Sequence, residues 1–184
     1  MATKMREYIL EVASDLFLTQ GINATSVDAI VAKADIAKVT LYKYFKSKEQ
    51  LILEYLKDYD DKLWSILSKG DEHASAETQL TNLVINLLEL IGNPDFKGFA
   101  FINAGVEFPQ SDSAVHQTSR EFSRNLRNQL AKLAAAAGKK NAEVLALQLQ
   151  MVIEGASVSN ELQIKAEAIE HAKDMARILI DSAK

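Results

Sequence analysis

The sequence predicts an all-α protein, in which a small amino-terminal three-helix domain with a helix-turn-helix precedes a larger helical domain. Three observations predict it. Apolar residues recur at three- and four-residue spacing along nearly the whole chain, the periodicity of one helix face. Seven glycines and two prolines, Pro94 and Pro109, are too few turn formers for a sandwich or barrel of 184 residues. A hydrophobic content of 48% with 25% charged residues suits a core-forming chain rather than a disordered or fibrous one.

Ile9, Val12, Ala13, Leu16 and Phe17 make one apolar stripe that stops at Gly21, the first helix. Thr25 precedes Val27, Ile30, Val31 and Ala34, with Asp28 three places on; this predicts a Thr25-capped helix over 25–33. Ala34-Asp35-Ile36-Ala37 is a tight link, and Asp35 is a residue type that tolerates a left-handed turn. A third helix then covers Lys38 to Phe45, and two short helices joined in this way form a helix-turn-helix. Ser47 and Gln50 form another capping box, opening a long helix through Leu51, Ile52, Tyr55, Leu56, Tyr59, Leu63 and Ile66 to Gly70. That helix joins an amino-terminal helix-turn-helix domain at 1–47 to a larger helical domain at 48–184.

Further helices are expected over 76–91, 97–107, 112–137, 141–163 and 166–183, bounded by Gly92-Asn93-Pro94, Phe108-Pro109 and Gly138. The helix at 141–163 carries two apolar stripes, Leu145, Leu149, Val152, Ala156 and Val144, Leu147, Met151, Val158. A helix apolar on two sides needs a second partner. The last helix presents Ile169, Ala172, Ala176, Leu179 and Ala183, small enough for close approach, so these two helices are the expected homodimer interface.

The formal net charge is −4, yet Lys38, Lys43, Lys46 and Lys48 lie between Ile36 and Lys48 with no acid among them. Residues 71–184 hold 11 basic and 15 acidic side chains. This asymmetry predicts a basic reader of nucleic acid on an acidic body. On a helical wheel Leu41 and Phe45 share the anchoring face of the third helix, with Val39 and Lys43 opposite and Thr40 and Tyr42 on the flanks. Such a face suits a major groove, where phosphate contacts position the helix and short side chains approach base edges. Lys38, Lys48, Thr25 and Ser26 sit at helix starts, where amides and cations meet phosphate.

The stretch T-S-V-D-A-I-V-A-K-A-D-I-A-K-V-T-L-Y-K-Y-F-K-S-K-E-Q-L, from Thr25 to Leu51, resembles the amino-terminal domain of the TetR family of transcriptional regulators. The resemblance implies a homodimer, most simply a repressor, that offers one recognition helix per subunit to half-sites of a palindromic double-stranded operator about 34–36 Å or a multiple apart. It also implies a small-molecule effector that changes that spacing. By position, Thr25, Lys38, Thr40, Tyr42 and Lys48 resemble phosphate contacts, and Val39, Lys43 and Tyr44 resemble base contacts. The family's common A-G-V-S-K-G-T is altered here at Asp35, Ala37 and Val39, where glycine, a capping serine and a small residue are usual.

In the body, Phe96 to Pro109 and Leu145 to Ala156 resemble one subgroup of the same family. Trp64, Phe99, Phe101, Phe108 and Phe122 are the expected aromatic lining of an effector pocket, with Asn103, Glu107, His116 and Gln150 as its polar groups. No cofactor or metal is implied. His73, His116 and His171 lack Glu-x-x-His and HExxH spacing, and neither a P-loop, a GxGxxG turn nor a GxSxG elbow occurs, so no enzyme is expected. The absence of cysteine removes thiolate catalysis and sulfur-ligated zinc and suits a reducing compartment. Arg6, Glu7 and Glu11 fall where a signal peptide needs apolar residues, and no apolar run nears the roughly 18 residues of a membrane span. A cytoplasmic protein without a membrane partner is expected. An activator, a ligand-blind repressor, and a helical small-molecule carrier without DNA binding are the competing readings.

Overall fold

The computed structural model describes residues 2–67, 73–163 and 167–183, and every regular element among them is an α-helix. In chain order these are α1 (Ala2–Gln20), α2 (Val27–Ala34), α3 (Lys38–Tyr44), α4 (Lys48–Leu67), α5 (Ala76–Gly92), α6 (Ala100–Glu107), α7 (Ala114–Ala136), α8 (Ala142–Glu161) and α9 (Ala168–Ser182). By contact the chain divides into two compact units, Met1–Lys62 with Phe99–Glu121, and Leu63–Gly98 with Phe122–Lys184. The first unit thus groups α6 with the helices of the reading head.

In that unit α1 buries Ile9, Ala13, Leu16 and Phe17 of the stripe its periodicity predicts, leaves Val12 half-buried, and ends at Gly21 with a φ of 88°. The cap of α2 is Ser26 rather than Thr25: the Ser26 hydroxyl accepts the Ala29 N–H at 3.0 Å. Thr25 is fully buried, and its hydroxyl reaches the Gly21 carbonyl at 2.7 Å and the Leu16 carbonyl at 3.3 Å. It ties off the end of α1, so the helix it was expected to start begins two residues later. Asp35 takes the left-handed conformation at φ 51°, ψ 49°, while the Asp35 N–H donates to Ala32 and the Ile36 N–H to Val31, a Schellman stop. At α4 the Ser47 hydroxyl accepts the Gln50 N–H at 3.0 Å, and Gln50 Oε1 accepts the Lys46 N–H at 2.8 Å, so the box closes one residue before the cap.

In the second unit α5, α8 and α9 pack on one another, with Leu80, Val84, Leu87, Leu88 and Ile91 of α5 against a core that includes Leu145, Leu149 and Ile153 of α8. The long α7 ends in a second Schellman stop at Gly138, whose φ is 72°. Helix α6 starts at Ala100 rather than 97, because Gly98 has a φ of 87° and Phe99 is the extended N-cap. On α9 the buried residues are Ala172, Ala176 and Ile180, whereas Leu179 and Ala183 of the expected stripe are only half-buried. Ile66 of α4 is exposed and Leu67 is buried in its place. The expected end at Gly70 and the expected start at 166 lie outside the described residues. No helix among the described residues is long and apolar enough to cross a membrane.

Candidate nucleic-acid interface

Helix α3 is held by its apolar pair. Leu41 and Phe45 are both fully buried, and the Arg6 guanidinium lies 5.0 Å from the Phe45 ring centroid while also pairing with Glu54 at 2.7 Å. One α1 side chain therefore braces the end of α3 and the start of α4 together, a role that no local sequence pattern signals. On the opposite face Val39 is 76% exposed, Lys43 is exposed, Tyr42 is 44% exposed, and Thr40 and Tyr44 are half-buried. The helix starts without a side-chain cap, since Ala37 has the extended cap geometry but no oxygen to offer.

The cations around this face have acidic neighbours. Lys38 pairs with Asp28 across the turn at 2.8 Å, and the hydrogen bond to that carboxylate raises the ammonium's pKa. Lys48, the first residue of α4, is half-buried and donates to the Ile22 carbonyl at 2.6 Å. Burial lowers its pKa, and the charge of Glu107 acts in the opposite direction. Ser26 is exposed at the start of α2, whereas Thr25 faces inward.

The residues expected at an effector pocket fall in both units. In the first unit Phe99 and Phe101 are buried, Phe101 meets Tyr59 edge-on at 5.8 Å, and Asn103, Phe108 and His116 are half-buried. His116 Nδ1 lies 2.9 Å from the Phe108 carbonyl, a contact that closes the loop between α6 and α7. Glu107 is engaged elsewhere: its carboxylate accepts the N–H groups of Ile22 and Asn23 at 2.9 and 2.6 Å. In the second unit Trp64 is half-buried, and Phe122 and Gln150 are buried. The Gln150 amide donates to Ser123 Oγ at 2.6 Å and to Glu154 at 2.7 Å, while its carbonyl oxygen has no hydrogen-bond partner among the described residues. Among the described residues no group of three or more His, Cys, Asp or Glu could hold a metal ion.

Residues 9–55, which run from within α1 through α2 and α3 into α4, match the family model of bacterial regulatory proteins, tetR family. The chain is 35% identical over 158 residues to the HTH-type transcriptional regulator YuxN of Bacillus subtilis, a match covering 81% of this chain and 51% of that protein. Residues 9–55 of the chain are a TetR-family domain. The chain is also 36% identical over 87 residues to the HTH-type transcriptional repressor KstR2 of Mycolicibacterium smegmatis, covering 47% of this chain and 42% of the relative. It thus spans about half the length of these curated relatives. The fold of the chain is that of a solved TetR-family transcriptional regulator from Streptomyces coelicolor, with a TM-score of 0.92, 24% identity, and coverage of 98% of this chain and 96% of the other. A TetR-family regulator from Agrobacterium tumefaciens gives a TM-score of 0.84 at 17% identity, with both chains covered fully.

Proposed function

We propose that this chain is a sequence-specific DNA-binding regulator that acts as a homodimer on a palindromic operator. The reading rests on α3, which is anchored by Leu41 and Phe45 and turns Val39, Lys43 and Tyr42 outward within a TetR-family motif. Residues 1–47 read the DNA, and residues 48–184 carry the effector site and the dimer contact. Lys38, Thr40, Tyr42, Lys48 and Ser26 meet phosphates; Val39, Lys43 and Tyr44 approach base edges, with Val39 suited to a thymine methyl. Thr25 acts from beneath by holding the end of α1.

Dimerisation runs through α8 and α9. Its support is the apolar stripe Val144, Leu147, Met151 and Val158, all exposed, with Met175 and Ile178 exposed on α9. Repression is steric, because a dimer on the operator occupies the DNA. The body takes a small molecule that favours a head spacing unfit for the operator, and it weakens binding only by its differential affinity for the two states. Such a regulator works in the cytoplasm, where the DNA is.

Selection from a random duplex library at fixed moderate salt, followed by anisotropy titration of the winner, tests this reading. The expected winner is a palindrome bound more than about a thousandfold above random DNA. Binding that fades equally for every sequence as salt rises overturns it in favour of a small-molecule carrier.

A further inference from the structure

The turn after α1 is held from a distant part of the chain, and the hold passes directly to a candidate phosphate contact. We propose that Glu107 is a positioning residue for DNA binding: from the end of α6 its carboxylate fixes the 21–23 turn, whose Ile22 carbonyl in turn holds the Lys48 ammonium ready for a phosphate. The inference rests on the DNA-binding reading above.

Both carboxylate oxygens are used, Oε1 by the Ile22 N–H at 2.9 Å and Oε2 by the Asn23 N–H at 2.6 Å. The Asn23 side-chain amide closes the arrangement by donating to the Glu107 carbonyl at 3.0 Å. Hydrogen bonds to an ionised acceptor are roughly twice as strong as neutral ones, and two adjacent amides on one carboxylate fix the orientation of the turn as well as its place. Ile22 is 1% exposed, so its side chain anchors the same residue in the core. The carbonyl of this fixed residue accepts from Lys48 Nζ at 2.6 Å.

An ammonium has three donors, so one bond to Ile22 leaves two for a phosphate. Holding the flexible lysine stem in one geometry beforehand removes its ordering cost from the binding step. Glu107 also opposes the effect of burial on Lys48 and so favours the charged form that DNA binding needs. A negative side chain remote in sequence from the reading helix therefore aids the binding of a polyanion, a sign that net charge alone reverses.

The test is a double-mutant cycle on the selected operator, by anisotropy across a salt series. Lys48→Ala is expected to cut the slope of log K against log salt by about one unit per protomer. Glu107→Gln keeps the shape, loses the charge and one acceptor, and is expected to weaken binding about threefold to tenfold per protomer for every duplex alike. In the Lys48→Ala background the same change is expected to add nothing, because Glu107 acts through Lys48. Losses that multiply, or a Glu107→Gln protein that binds like the parent, overturn the proposal.

Amide exchange in the free protein reads the brace without DNA. Glu107→Gln is expected to speed exchange at Ile22 and Asn23, and unchanged exchange overturns the proposal. Faster exchange with a parent chain that selects no duplex overturns the DNA reading and the positioning role with it, while the brace stands. Should Glu107→Gln fail to fold, Asn23→Ala removes only the side-chain bond and runs the same cycle with a smaller expected loss.

Discussion

Ala37 occupies the N-cap of α3 with φ −74° and ψ 146°, the backbone a capping side chain needs, and has only a methyl group to present. A cap oxygen satisfies one of the first-turn N–H groups that otherwise depend on water. Ala37→Ser is therefore expected to stabilise the fold by about 1 kcal/mol, read as a higher urea midpoint at unchanged m. An unchanged midpoint shows that the first turn of α3 gains nothing from a cap. The neighbouring Asp35 was legible in the sequence, because left-handed tolerance belongs to the residue itself, and it adopts φ 51°. Thr25 was legible as a cap and, by resemblance, as a phosphate contact, but not as the tie that ends α1. Its hydroxyl faces the Gly21 carbonyl because the end of α1 packs there, and spacing within 25–34 carries no trace of that packing.

Helix α4 shows how one amphipathic stripe becomes a set of ring contacts. Phe17 of α1 meets Tyr55 at 5.4 Å, Tyr55 meets Tyr59 at 6.4 Å, and Tyr59 meets Phe101 of α6 at 5.8 Å. Burial raises the pKa of both phenols well above the ordinary 10.0. In the unfolded chain they ionise near the ordinary value, so above about pH 10 the folded state binds more protons and stability falls as pH rises. Tyr55→Phe removes one of these groups. The urea midpoint of the variant is expected to fall less steeply than the parent's between about pH 10 and 11.5. Parallel slopes for the two proteins show that the Tyr55 phenol ionises as freely in the fold as outside it. The ladder's existence was half-legible: the stripe through Tyr55 and Tyr59 is helical periodicity, whereas their partners come from helices that the chain brings in from either side.

At the scale of the whole molecule, α8 is the element whose second face has no covering among the described residues. Met151 is 63% exposed at the middle of that stripe, and an apolar patch rimmed by polar residues marks an association surface. Met151→Asp places a charge at the centre of the proposed contact between copies. Sedimentation is expected to show a halved mass at concentrations where the parent is a dimer, with operator affinity falling in step because one head alone contacts one half-site. A variant of parental mass assigns dimerisation to another face.

Local physics alone determined much of this protein. Helix stripes, Schellman stops, the Ser-Gln capping box, the left-handed Asp35 and the ordered motif from Thr25 to Leu51 depend on residues within one or two turns of one another, and all lie in the first 55 residues or in strongly periodic stretches. The tertiary structure decided what the polar side chains do. Glu107 was assigned to an effector pocket by its place among aromatics, and its partners Ile22 and Asn23 lie 85 and 84 residues away. Lys48 carries the motif's cation, yet its carbonyl partner is 26 residues upstream. A carboxylate or an ammonium bonds whatever donor or acceptor the packed helices bring within reach, so its role is fixed only when the chain has closed those loops.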